Sequence, residues 1–144
     1  MKVIVLAKAR VSEVTATFRS DIKSVWNVVT NNNNYKWRSD IDRIEVLNGT
    51  EFIEYTPNGN ATKFTITRKD AYSDYEFQME NKMFSGNWTG HFSETESGGA
   101  KIIFWENIFI KNPLIRVLSY MLMDLKKMQN IYISDLKKEL GENS

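Results

Sequence analysis

The stretch "NWTGHFSETESGGAKIIFWENIFIKNPLIRVL", residues 87–118, decides the fold that the sequence predicts. In its first part, apolar and polar residues alternate, so Trp88 and Phe92 share one face of a strand and His91 lies on the other. The pair Gly98-Gly99 then provides a turn signal. The first half of the stretch therefore predicts a strand that leads into a hairpin.

A second strand and a long helix follow this turn. Residues 101–110 are apolar on both faces, which is typical of a strand that is covered on both sides or pairs near a helix. Pro113 fits the first position of a helix, which runs to about Leu140 and is stopped by Gly141. Such a helix must lie with its apolar stripe on the sheet. The stripe contains Leu114, Leu118, Met121, Leu125, Met128, Tyr132 and Leu136, broadened by Val117 and Leu122.

The N-terminal part predicts a half-buried strand over 11–18 and then a short amphipathic helix. Ser20 is a plausible N-cap, and apolar residues recur at helical spacing from 22 to 29. The four asparagines at 31–34 stop this helix, because asparagine competes for backbone hydrogen bonds. Trp37 follows too closely for a disordered linker, so we interpret the asparagine run as a helix stop.

Between residues 41 and 110, turn signals recur about every ten residues, which predicts an antiparallel meander of six strands. Alternation gives several of these strands one apolar face and one polar face. The predicted inward sets are Phe64, Ile66 and Arg68; Tyr75, Phe77 and Met79; and Trp88, Gly90 and Phe92.

Composition and charge exclude several classes of function. The 144 residues fit one domain, 42% are hydrophobic, and 19 basic against 18 acidic residues leave a net charge of +1. That balance gives no electrostatic footprint for nucleic acid. With no cysteine and one histidine, a catalytic triad and the usual metal sites are excluded, and His91 falls on the polar face. We therefore expect no metal and no cofactor.

The N-terminal apolar run at 3–7 is too short for a signal peptide, and no stretch approaches the roughly 20 apolar residues of a membrane span. We expect a cytoplasmic protein without stable membrane insertion, a monomer or weak homodimer.

The order of elements, together with scattered aromatic residues, resembles the START, polyketide cyclase and pollen-allergen-like (SRPBCC, Bet v 1-like) superfamily. In "SDIKSVWNVVT", the pair Val25-Trp26 and then Thr30 are similar to its first helix, and Trp37 to the second tryptophan that follows. The stretch at 87–118 and the terminal "DLKKEL" are similar to its later signature, although Ala100 replaces the usual threonine. The resemblance covers nearly the whole chain.

This resemblance implies an α+β helix-grip fold, with 1–144 as a single ligand-binding domain. A curved antiparallel sheet of about seven strands would wrap around a long C-terminal helix, with two short helices after the first strand. A cavity between sheet and helix would open near the short helices, with Trp26, Tyr35 and Trp37 at its mouth and the asparagine run beside it. Its lining would be Phe64, Arg68, Tyr75, Phe77, Met79, Trp88, Phe92, Phe104, Glu106, Met121, Leu125 and Met128, although such aromatic and methionine residues also pack ordinary cores.

Arg68 is the most informative of these residues, because alternation places it beside Phe64, where an unpaired charge is costly. Either Arg68 lies near the strand end and reaches solvent or a structural partner, or it forms a polar anchor with Glu106 inside an apolar pocket. Glu54 is a second carboxylate in phase with the inner face.

Three functions remain open from the sequence. The first is a carrier or sensor that encloses a small hydrophobic molecule, such as a lipid, polyketide, quinone or aromatic metabolite. The second is a cyclase or dehydratase in which Arg68, Glu106 or Tyr75 polarises or deprotonates a bound polyketide. The third is a protein-interaction module with an exposed apolar patch near Tyr35 and Trp37. No residue is assigned a catalytic role.

Overall fold

The computed structural model describes residues 10–114 and 124–142. In these ranges the chain forms seven strands and two helices, in the order β1, α1, β2 to β7, α2. Their bounds are β1 Arg10–Phe18, α1 Ile22–Thr30, β2 Arg43–Val46, β3 Glu51–Tyr55, β4 Ala61–Asp70, β5 Asp74–Glu80, β6 Phe84–Glu94, β7 Ala100–Ile110 and α2 Leu125–Glu139.

All seven strands belong to one antiparallel sheet with the order β1-β7-β6-β5-β4-β3-β2. Strands β2 to β7 form the predicted meander, and β1 joins the sheet beside β7. The hairpin between β6 and β7 turns at Gly98, whose φ of 86° lies in the left-handed region that favours glycine. The predicted α+β class and the seven-stranded curved sheet are confirmed.

The segment around α1 differs from the prediction at both of its ends. Asp21, and not Ser20, is the N-cap, since its side chain accepts a hydrogen bond from the backbone N–H of Ser24. Ser20 instead donates its hydroxyl to Glu142 at 2.6 Å. The second short helix expected after the first strand is absent, because residues 31–40 form turns.

The predicted C-terminal helix is interrupted: Pro113 and Leu114 are helical as predicted, but the helix described at the C-terminal end begins at Leu125. Asp124 has an extended backbone and caps α2 by accepting from the N–H of Lys127, so an unbroken helix from Pro113 is excluded. Residues 115–123 lie outside the described residues, and the predicted stripe positions Val117, Leu118, Met121 and Leu122 fall there.

The buried side of α2 also includes an unpredicted polar residue. Leu125 and Leu136 are buried as predicted. Between them, Gln129 is the buried residue, whereas Met128 is 52% exposed. Gln129 accepts a hydrogen bond from the Ser12 hydroxyl at 2.7 Å and donates to the Ser12 carbonyl at 3.1 Å. These bonds offset the cost of burying an amide. The assignment of Met128 to the inner face is wrong.

A β-bulge in β4 overturns the prediction for Arg68. Ile66 pairs with Phe77, but Arg68 pairs with Glu76, so Thr67 is an extra residue. Because side chains alternate between faces, one extra residue reverses the phase of the rest of the strand. Arg68 is therefore exposed and directed away from the inner face.

Candidate functional site

Four aromatic rings on adjacent strands form an inner wall, defined as Phe64, Phe77, Trp88 and Phe104. Phe77 lies opposite Trp88 in the β5–β6 register, and their rings stack with centroids 4.9 Å apart. Phe64 approaches Phe77 at 5.1 Å, and Phe104 approaches Trp88 at 4.7 Å. A Cβ atom on Gly90 would come within 2.7 Å of the Trp88 indole, so this glycine lets the indole lie along the strand.

The wall continues toward α1 through Tyr75 and Phe92. Trp26 of α1 packs edge-on against both rings, at 6.0 Å from Tyr75 and 4.9 Å from Phe92. Trp26 is only 5% exposed, so it belongs to the core and not to the expected pocket mouth.

On the other side, α2 contributes Tyr132, which joins the wall to the turn segment. Its ring lies 5.5 Å from Phe104 and 5.3 Å from Trp37. The Trp37 indole N–H also donates to the Asn34 carbonyl at 3.0 Å. Trp37 and Tyr35 are both half-buried, and Trp37 packs against the core. Sequence reasoning placed Tyr132 on the helix stripe but did not include it in the site.

Glu106 is the chemically distinctive group of the inner face. It follows Phe104 by two residues and lies opposite Trp88 in the β6–β7 register. Among the described residues, it has no hydrogen bond or ion pair, and its carboxyl oxygens keep some access to solvent. Burial raises the pKa of Glu106 to about 7; the charge of Glu54 adds to the rise and that of Arg38 opposes it. Glu106 is therefore half-buried on the inner face and does not sit in a sealed core.

Arg38 is the cation next to this carboxyl. Its Nη1 lies 2.7 Å from the Glu54 carboxylate, its Nη2 lies 2.7 Å from that of Asp40, and its guanidinium lies 5.2 Å from the centre of the Tyr132 ring. Burial alone would lower the pKa of Arg38, but the two carboxylates raise it above its ordinary value. Sequence reasoning missed Arg38, because it lies in a turn segment without periodicity.

The curvature of the sheet brings these groups together. Glu54 on β3 and Glu106 on β7 are separated by four strand spacings, which in a flat sheet would be about 19 Å. Yet Arg38, which is bonded to Glu54, lies 5.2 Å from the Tyr132 ring, and that ring lies 5.5 Å from Phe104 of β7. The sheet therefore curves so that the inner faces of β3 and β7 approach the same side chains.

The predicted pair of Arg68 and Glu106 does not form. Arg68 makes exposed ion pairs on the outer face, with Asp70 at 2.7 Å, Asp74 at 3.4 Å and Glu76 at 3.5 Å. Its inward placement is therefore wrong, and the cation that acts on the ionisation of Glu106 is Arg38.

The other predicted lining residues divide by exposure. Phe64, Tyr75, Met79, Trp88, Phe92, Phe104 and Leu125 are buried, Phe77 is half-buried, Met128 is exposed, and Met121 lies outside the described residues.

An opening of about 420 Å³ lies between the end of α1 and strands β2 to β4. Phe52 and Ile66 are apolar residues of its lining, and Asn32 on its rim donates a hydrogen bond to the Tyr75 hydroxyl at 3.3 Å. The asparagine run thus borders this opening. Its remaining lining is Asn27, Thr30, Asn31, Asn33, Val46, Asn48, Gly49 and Lys69.

The curved antiparallel sheet with its C-terminal helix is a helix-grip fold, as the sequence predicted. Solved structures share this fold over nearly their whole length. A conserved protein from Geobacillus kaustophilus matches with a TM-score of 0.77 at 9% identity, over 92% of this chain and 95% of its own.

Two further solved structures are similar over nearly the whole chain. A START superfamily protein from Mycobacterium smegmatis matches with a TM-score of 0.67 at 9% identity, over 89% of this chain and 97% of its own. Ara h 8.0201 matches with a TM-score of 0.65 at 14% identity, over 93% and 99%. No family model matches the sequence, and no curated protein matches it. At these identities the likeness establishes the fold alone.

Within the described ranges, neither helix is long and apolar enough to cross a membrane.

Proposed function

We propose that the chain binds a small hydrophobic or amphipathic molecule against the inner wall, such as a lipid, polyketide, quinone or aromatic metabolite. The observation that carries the proposal is Glu106, a half-buried carboxyl without a partner among the described residues, beside Trp88 and Phe104 on the inner face. Apolar pockets with a few converging polar groups are typical of small-molecule sites. The aromatic faces would supply burial and Glu106 would orient the ligand.

The 420 Å³ opening supports a route for uptake. Asn32 on its rim is hydrogen-bonded to Tyr75, whose ring lies 6.0 Å from Trp88 of the inner wall. A ligand that passes the asparagine run would therefore meet Tyr75 before it reaches the wall. The balanced charge of the chain supports the absence of a nucleic-acid partner, and the same proposal includes a single cytoplasmic domain over 1–144, monomeric or weakly dimeric.

Native mass spectrometry of the purified protein tests the proposal. We expect a copurifying small molecule, or a rise in Tm with at least one member of a panel of lipids, quinones and aromatic compounds. The absence of both a bound mass and a Tm rise would count against a carrier or sensor.

The pKa of Glu106 favours one second candidate, an enzyme of cyclase or dehydratase type. A carboxyl with a pKa of about 7 is well matched to proton transfer at neutral pH. Turnover of a polyketide substrate that disappears in Glu106→Gln would support this candidate, whereas binding without turnover would support the carrier.

A further inference from the structure

We infer that the molecule held at the inner wall carries a protonated amine, which pairs with the Glu106 carboxylate. This inference rests on the proposed function and specifies the chemical class of its ligand. It follows from the charges that surround Glu106, from the hydrogen bonds already made by Arg38 and from the aromatic rings beside the carboxyl.

The charges next to Glu106 disfavour an anion. Among the described residues, three groups influence its ionisation: Glu54 and Asp40, which are acidic, and Arg38, which is basic. Two carboxylates against one guanidinium leave this end of the inner face negative even before Glu106 ionises. A ligand carboxylate there would meet repulsion and lose its hydration without a compensating partner.

Arg38 has little capacity left for such an anion, because it makes four hydrogen bonds to carboxylates with its five N–H donors. Its Nε and Nη2 both bond to the Asp40 carboxylate, at 3.1 and 2.7 Å, while its Nη1 bonds to Glu54 at 2.7 Å. A ligand carboxylate could accept from at most the one remaining Nη1 hydrogen unless it displaced one of these charge-assisted bonds. The acceptor without a partner is Glu106, so the group that completes the site is a donor.

The surrounding rings add an attraction for cations. Trp88 is the cross-strand neighbour of Glu106, and Phe104 lies on the same face two residues earlier, with ring centroids 4.7 Å apart. Aromatic faces attract ammonium groups, most strongly where water is excluded. An alkylammonium group attached to an apolar or aromatic body would satisfy both the carboxylate and the rings, whereas a purely apolar ligand would leave Glu106 without a partner.

Three compounds that share a 1-naphthylmethyl group and differ in charge test the inference. They are 1-naphthylmethylamine, 1-naphthalenemethanol and 1-naphthaleneacetic acid, each titrated by calorimetry at pH 8. We expect the amine to bind roughly tenfold or more tightly than the alcohol, and the acid to bind most weakly. In Glu106→Gln the preference for the amine should disappear, while the affinity for the alcohol changes by less than about threefold. The matched control is Glu96→Gln, at an exposed position, which should keep the wild-type order.

The outcomes separate this inference from the proposed function. If the alcohol or the acid binds as tightly as the amine, the amine inference is overturned while binding of small hydrophobic molecules stands. If none of the three probes binds at millimolar concentration and no mass copurifies, both fail. The series on the wild-type protein decides the inference even if Glu106→Gln does not fold.

Discussion

The stability of the protein should depend on pH through Glu106. Its folded-state pKa of about 7 lies above the ordinary value of 4.5 for a glutamate. Between these two pH values the folded state holds more protons than the unfolded state, so the free energy of unfolding falls as pH rises. The difference between the two pKa values corresponds to about 3 kcal/mol in the free energy of unfolding. This stabilisation is fully present below pH 4.5 and is lost above about pH 8. Glu106→Gln cannot ionise and should escape this loss.

Urea denaturation of both proteins at intervals from pH 5 to pH 9 measures the effect. We expect similar free energies of unfolding at pH 5, and at pH 9 a variant that is more stable than the wild type by about 3 kcal/mol. Glu96→Gln, on the exposed surface, should follow the wild-type curve. Parallel curves for wild type and Glu106→Gln across the whole range would refute the reasoning, since they would mean that Glu106 ionises alike in both states.

Three further substitutions test other parts of the site. Arg38→Met leaves the half-buried Glu54 without its cation and should lower the free energy of unfolding by about 3 kcal/mol. The double variant Arg38→Met with Glu54→Met should regain much of that stability. Equal losses for the single and the double variant in urea denaturation would contradict this. Asp135→Ala removes two 2.8 Å bonds from the turn segment 31–40 and should cost about 2 kcal/mol with faster amide exchange there. Unchanged exchange would show that this segment is held elsewhere. Arg68→Met should change stability by less than about 0.5 kcal/mol and leave ligand affinity unaltered; weaker binding would restore Arg68 as an anchor.

Much of the sheet could be predicted because its signal is local. Side chains in a strand alternate between the two faces with a period of two. The inward direction of Phe64, Phe77 and Trp88 can therefore be predicted from their immediate neighbours in the sequence. The same phase places His91 on the outer face, where it is exposed and lies 3.0 Å from Asp74. Regular alternation together with frequent turn signals was enough to predict that β2 to β7 follow one another as an antiparallel meander.

The errors occurred where a local pattern is interrupted. The bulge at Thr67 shifts the phase of β4 by one residue, and no residue type in that strand marks the shift. On α2, a search for apolar residues selected Met128, although Gln129 is the residue that packs inward through its bonds to Ser12. Arg38 was missed because a turn has no periodicity, and its role depends on a carboxylate 16 residues later in the chain.

Glu106 bears on both the stability of the fold and the choice of ligand. A leucine or methionine at this position would extend the aromatic face without the free energy that an ionised carboxyl loses there. At neutral pH the chain therefore carries a group that weakens its own fold, and the charge of Arg38 offsets this only in part. A ligand that supplies a positive charge would remove this penalty, because it binds only the folded state and pairs with the carboxylate there. The destabilisation of the empty protein and the preference for an amine thus have one physical origin, the unpaired charge at Glu106.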